Sequence, residues 1–268
     1  MDRENAENNH PLSGGMMNSV VRRGDRVVRN APDHASALQD FLAALAEAGF
    51  DGAPRPLALH ADGREELTFV EGDVAVPPFP AWALADRVVT ESARLMRRYH
   101  EVADRVRFDP GAHWPTALSD PEGGPLLCHN DPCLENLVFR DGAAVALIDF
   151  DLAAPGRPLW DVAALAFYMG PTLDPESAAG TVFAGLDAPR RLRLMADAYG
   201  LSHHDRLALP ETVQQYNEVS RDFVRGMVED GNPLFVRDFE RLGGWARWDR
   251  RRDWLVEQRT VFVEALTA

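Results

Sequence analysis

The chain has 268 residues, 46% of them hydrophobic and 26% charged, which is material for one large domain or two small lobes around an ordinary core. Acidic residues outnumber basic ones 42 to 28, giving a formal net charge of −14, and all 28 basic residues are arginine, with no lysine anywhere. That balance argues against a nucleic-acid partner, which needs a basic surface, and no apolar run approaches the roughly 18 residues of a membrane span.

Residues 1–10 are polar, without a basic n-region or an apolar h-region, so the start reads as a disordered tail on a cytoplasmic protein. Residues 11–75 then read as a small β-rich lobe. Gly14-Gly15-Met16-Met17-Asn18 offers backbone N–H groups that a phosphate chain would need. Strands are expected at 19–23 and 26–29, turned by Gly24-Asp25, followed by a helix at 35–48. There Leu38, Phe41, Leu42 and Leu45 recur at helical spacing until Gly49 stops them. Two further short strands are expected at 57–60 and 66–70.

Pro77-Pro78-Phe79-Pro80 is a stiff break, after which residues 76–268 read as a larger, mainly helical lobe. A long amphipathic helix is expected at 82–106. Helices at 188–199, 211–229 and 239–266 follow later, with Glu218, Asp222, Glu229 and Asp230 as pocket acids or merely solvated faces. Trp245, Trp248 and Trp254 are read as packing these helices together, with one of them open to lining a pocket.

The most informative segment lies between. Cys128-His129-Asn130-Asp131-Pro132-Cys133-Leu134-Glu135-Asn136 reads His-x-Asp-x-x-x-x-Asn. An apolar run, the turn signal Asp141-Gly142 and a return strand at 144–148 then deliver Asp149 beside Asn136. Transfer of a phosphoryl group needs a carboxylate to meet the acceptor hydroxyl, for which Asp131 is placed. It also needs hard oxygen ligands for Mg²⁺ on the nucleotide phosphates, for which Asn136 and Asp149 are placed. Cys128 and Cys133 flank Asp131, but two thiols without partners at ligand spacing make a poor metal site, and they are assigned no role.

These residues, with Thr68-Phe69-Val70-Glu71-Gly72 and Pro158-Leu159-Trp160-Asp161-Val162-Ala163, resemble the aminoglycoside phosphotransferase and choline kinase family. The likeness is to short bacterial members, some grouped with trifolitoxin immunity proteins, and it runs from about Leu12 to Met169. The resemblance implies an α+β, two-lobed protein-kinase-like fold and the use of ATP (or GTP) with Mg²⁺. It also implies transfer to a hydroxyl of a small molecule, and the acidity of the chain fits a cationic acceptor such as an aminoglycoside or amino alcohol.

The same resemblance implies roles for individual residues. His129 would steady the catalytic loop, Asp151 would back the metal site, and Asp161 would tie the loop to the following helix. Arg29 stands where the family places a phosphate-gripping lysine, and Gln39 stands nearest the place of the glutamate that pairs with it. Two readings therefore stay open: a small-molecule kinase, or a catalytically weak nucleotide-binding or toxin-immunity-type protein of the same fold.

Overall fold

The computed structural model describes residues 9–11 and 20–268. Its first unit is an antiparallel sheet built from β1 (Asn9–Pro11), β2 (Val21–Arg23), β3 (Arg26–Asn30), β4 (Pro56–Leu59) and β5 (Arg64–Thr68), in the order β1-β2-β3-β5-β4. Strand β1 thus includes Asn9 and His10, part of the stretch read as tail. Helix α1 (Ala35–Glu47) buries Leu38, Phe41, Leu42 and Leu45, the stripe that its periodicity marks.

The chain leaves this sheet through Thr68–Gly72 and enters β6 (Asp73–Val74), which pairs with a strand of the second unit. Gly72 makes that passage (φ +146°): a Cβ on it would lie 2.5 Å from Val138 Cγ1 and 2.6 Å from the Phe139 carbonyl oxygen. The partner strand is β8 (Leu137–Arg140), which pairs in turn with β9 (Ala143–Leu147). Asp141 and Gly142 close this hairpin with φ of 51° and 76°, the left-handed pair that a two-residue turn requires. A second small ribbon joins β7 (Leu126–Cys128) to β10 (Ala154–Gly156).

Helices form the rest. The long helix expected at 82–106 is a 3₁₀ turn at Ala81–Leu84 followed by α2 (Asp86–Ala103), separated by the extended residue Ala85. Helix α3 (Pro158–Met169) has eight of its twelve residues buried, as expected of a central helix, with Trp160 fully enclosed. A single turn, α4 (Pro175–Ala178), precedes α5 (Ala188–Tyr199), whose bounds match the sequence reading.

Two helices depart from expectation. Helix α6 spans His203–Glu229 and starts at the Ser202 cap, upstream of 211, because Pro210 is accommodated inside it at the loss of one backbone bond. The segment read as one helix over 239–266 is two, α7 (Pro233–Arg241) and α8 (Gly244–Thr267). They are broken where Gly243 and Gly244 take φ of 100° and 60°. The architecture is the two-lobed α+β, kinase-like fold with a small β-rich part and a larger helical part. No helix among the described residues is long and apolar enough to cross a membrane.

Candidate active site

The loop after β7 and the turn after β9 converge. Asn130 is held at φ 67° and Asp149 at φ 62°, left-handed conformations that non-glycine residues adopt only where surrounding bonds impose them. For Asn130 those bonds are clear: its backbone N–H donates to Asp161 Oδ1 at 2.7 Å and its side chain to the Leu152 carbonyl at 2.8 Å.

Asp161, on α3, is fully buried and also accepts from the His129 N–H at 2.8 Å and pairs with His100 Nε2 at 3.0 Å. Burial pushes this carboxyl up, but His100 and the backbone donors outweigh it and hold the group below the usual aspartate range. His129 in turn meets the Ile148 carbonyl through Nε2 at 3.0 Å and accepts from the Asp131 N–H at 3.3 Å. His129 and Asp161 therefore bind the loop to both the β9 turn and α3.

His100, Cys128 and Asp161 are also the one group among the described residues whose ligand atoms cluster within 4.8 Å. Both His100 nitrogens are already engaged, by Asp161 and by the Tyr199 hydroxyl, and the Cys128 thiol points at the Arg157 carbonyl. The cluster is a hydrogen-bonded brace for α2, α3 and the loop.

Asp131 faces a cavity of about 390 Å³. One carboxylate oxygen accepts from the Tyr168 hydroxyl at 2.5 Å, the other from Asn136 Nδ2 at 3.1 Å. Burial raises its pKa above the ordinary aspartate value, with Tyr168, His129 and Asn136 working against that rise. Asn136 spends its amide N–H groups on Asp131, so its Oδ1 is left facing away from that residue. Asp149 is the more open carboxylate, 42% exposed, and Asp151 is 11% exposed with a pKa pushed up to about 6, by burial first and by its Asp149 neighbour. Asp131, Asn136, Asp149 and Asp151 all line the same cavity.

Arg29 arrives from the other lobe. Its guanidinium is 6% exposed and spans three carboxylates: Glu65 at 2.8 Å through Nε, Asp149 at 2.8 Å through Nη1, and Asp151 through Nη2. Burial would lower its pKa, but the three acids overrule that and raise it. Glu65 is the residue that sequence reasoning passed over. The β3–β5 register sets Arg29 directly opposite Glu65, so the two side chains share one face of the sheet. Gln39 Nε2 then reaches Glu65 Oε2 from α1 at 2.8 Å. The carboxylate that the helix lacks is supplied by the neighbouring strand. Strand alternation puts Glu65 on the same inward face as the apolar Leu67, a signal available before the structure.

Two more residues came only with the fold, Tyr168 and Tyr216. The Tyr216 hydroxyl donates to the Asn130 carbonyl at 2.7 Å. Of the tryptophans, Trp248 lines the cavity with Phe167, while Glu218, Asp222, Glu229 and Asp230 do not. Gly14, Gly15 and Asn18 lie outside the described residues.

Comparison with known proteins bears on the fold and on the segment that holds this loop. A model of the phosphotransferase enzyme family matches residues 109–195, the stretch holding the loop, Asp149 and Asp161. The chain is 28% identical over 272 residues to the trifolitoxin immunity protein of Rhizobium leguminosarum bv. trifolii, covering 95% of this chain and 97% of that one. It is 27% identical to the N-acetylmuramate/N-acetylglucosamine kinase of Caulobacter vibrioides over 76% of this chain, and spans 58% of that protein's length. Among solved structures, a choline/ethanolamine kinase family protein from Mesorhizobium loti superposes with a TM-score of 0.65 at 16% identity, covering 97% and 92% of the two chains. The chain thus resembles the aminoglycoside phosphotransferase and choline kinase family over residues 109–195, and it has that family's kinase-like fold along its length.

Proposed function

We propose that the protein is a Mg²⁺-dependent phosphotransferase that moves the γ-phosphate of ATP, with GTP as the alternative donor, to a hydroxyl of a small molecule. The observation that carries the proposal is the convergence of Asp131, Asn136 and Asp149, from two separate segments, on one cavity large enough for a small acceptor.

In this reading Asp131 takes the proton of the acceptor hydroxyl at its carboxylate. Tyr168 and Asn136 fix the carboxylate's orientation, and the burial that raises its pKa makes it a better proton acceptor. Asn136 Oδ1 and the open Asp149 carboxylate would hold the metal, with Asp151 behind. An amide oxygen and carboxylates suit Mg²⁺, which keeps phosphate and water oxygens as its other ligands. The metal would neutralise charge on the transferring phosphoryl group. Arg29, anchored by Glu65 and Gln39, would reach the phosphates in place of the usual lysine. Gly14, Gly15 and Asn18 are proposed to cover those phosphates. His129 and Asp161 hold the loop and touch no substrate.

The acceptor's charge is a finer matter. A net charge of −14 favours a cation, but the cavity wall carries both signs, with acids at the transfer end and Arg247 and Arg251 contributed by α8.

Likeness to the immunity protein over nearly the full length supports a second reading, in which the fold binds nucleotide with little transfer. Calorimetry of Mg·ATP on the wild type, Asp149→Ala and Asp131→Asn separates the two. Micromolar binding lost in Asp149→Ala, together with ATP turnover that falls about 10²- to 10⁴-fold in Asp131→Asn, supports the kinase. Binding without acceptor-dependent turnover favours the second reading, and no binding at millimolar nucleotide sinks the first.

A further inference from the structure

Helix α8 turns Arg247, Trp248 and Arg251 toward the cavity that holds Asp131. Arg247 and Arg251 are four residues apart and therefore neighbours on one helix face, an arrangement that is unfavourable for like charges. Among the described residues no carboxylate forms an ion pair with either. Arg251 is 8% exposed, lies over the Phe167 ring at 3.4 Å, and is fixed by neutral acceptors. Its Nε donates to the Thr172 carbonyl at 2.6 Å, and its Nη2 to the Phe167 carbonyl and Thr172 Oγ1, each at 2.8 Å. Its Nη1 donates to none of the described residues.

Arg247 is half-buried, and none of the described residues forms a hydrogen bond or an ion pair with its guanidinium. This stands out in a chain where most arginines are paired. Asp174 is the acid whose charge acts on both, but it forms no ion pair with either: its Oδ1 serves the α4 cap and lies 3.7 Å from Arg250 Nε, and its buried Oδ2 has no hydrogen-bond partner among the described residues.

A buried cation without a counter-charge is strongly unfavourable. A guanidinium pair in a cavity, with Arg251 fixed in place and no described carboxylate ion-paired to either member, is complementary to an oxyanion, which forks onto it through charge-assisted hydrogen bonds. Trp248, stacked near Phe167 with centroids 6.2 Å apart at 24°, offers a flat apolar wall beside it.

We propose that the acceptor is a hydroxylated small molecule bearing an oxyanionic group, a carboxylate in the simplest case, which is held by Arg247 and Arg251 while its hydroxyl lies toward Asp131. This rests on the phosphotransferase reading for the hydroxyl but not for the anion. It runs against the cation that the net charge favours, because local groups at contact distance outweigh screened charges across the surface.

The test is a thermal-shift and calorimetric screen of hydroxy acids, each paired with its neutral primary amide, on the full chain and on Arg247→Gln. Because Arg247 bonds to no described residue, its replacement should leave the fold intact, which a far-UV melt checks. Expected is at least one carboxylate that binds tenfold or more tighter than its amide, about 1.4 kcal/mol, with the preference lost in Arg247→Gln.

The same pair is then measured with saturating Mg·ADP. A preference that survives places the anion outside the phosphate site, whereas one that disappears overturns the proposal. No carboxylate favoured over its amide, or a preference untouched by Arg247→Gln, also overturns it. Absence of ADP binding would sink the phosphotransferase reading and leave the carboxylate contrast standing.

Discussion

Replacing Glu65 with alanine tests the joint between the two lobes. The Glu65 and Arg29 side chains are 1% and 6% exposed, and Glu65 also accepts from Gln39. Removing one partner of a buried pair costs about 3–5 kcal/mol, because the other charge stays buried. Arg29 keeps Asp149 and Asp151, the former 42% exposed, so the lower end, about 3 kcal/mol, applies. For a chain of this size that is a fall in Tm of about 6–12 °C, out of a total stability of about 5–15 kcal/mol.

Guanidinium unfolding followed by tryptophan fluorescence and by circular dichroism measures it, and coincidence of the two probes justifies a single free energy for both lobes. Arg29→Met should destabilise by a similar amount, and the double variant by much less than the sum. A loss below about 1 kcal/mol, or a coupling within about 0.5 kcal/mol of zero, would refute the view that Glu65 replaces the missing helix glutamate. If Arg29 does grip phosphate, Glu65→Ala should also raise the KM for Mg·ATP by more than it lowers kcat.

Tyr168→Phe removes a donor that holds Asp131 ionised against its burial. Its pKa should rise further, moving the acidic limb of the kcat/KM profile to higher pH while the plateau stays within about tenfold; an unmoved limb contradicts the assignment of Asp131 as base. Asp161 has a depressed pKa in the fold. Its contribution is therefore present above the unfolded value near 4 and is lost as pH falls through the lower folded value. Asp161→Asn should destabilise most at neutral pH, by roughly 2–4 kcal/mol, with the difference from wild type shrinking in acid; a difference independent of pH argues against it. Gly72→Ala places a Cβ within 2.6 Å of backbone at a positive φ, so a loss of more than about 2 kcal/mol in chemical denaturation is expected, and a neutral change would mean the hinge can shift.

The local arrangement of the candidate site was readable before any fold, because it lies in one short stretch of chain. His129 to Asn136, the Asp141-Gly142 turn and Asp149 are separated by fixed numbers of residues, and a tight hairpin leaves little freedom in how they meet. The apolar stripe of α1 and the bounds of α5 were legible for the same reason, since helix periodicity is a local property. Helix bounds misled at 82–106, where the extended Ala85 divides a 3₁₀ turn from α2, at α6, where Pro210 was tolerated inside a helix, and at α7–α8, where a Gly-Gly pair divided one.

The tertiary structure decided everything that depends on register and on distant helices meeting. Glu65 faces Arg29 because β5 pairs with β3 in one register, and a slip of a single residue would turn it outward. Arg247 and Arg251, which the sequence reading did not single out, become cavity groups only when α8 packs beside α3 and α6. That no described carboxylate forms an ion pair with either is a fact about space, which spacing along the chain does not record.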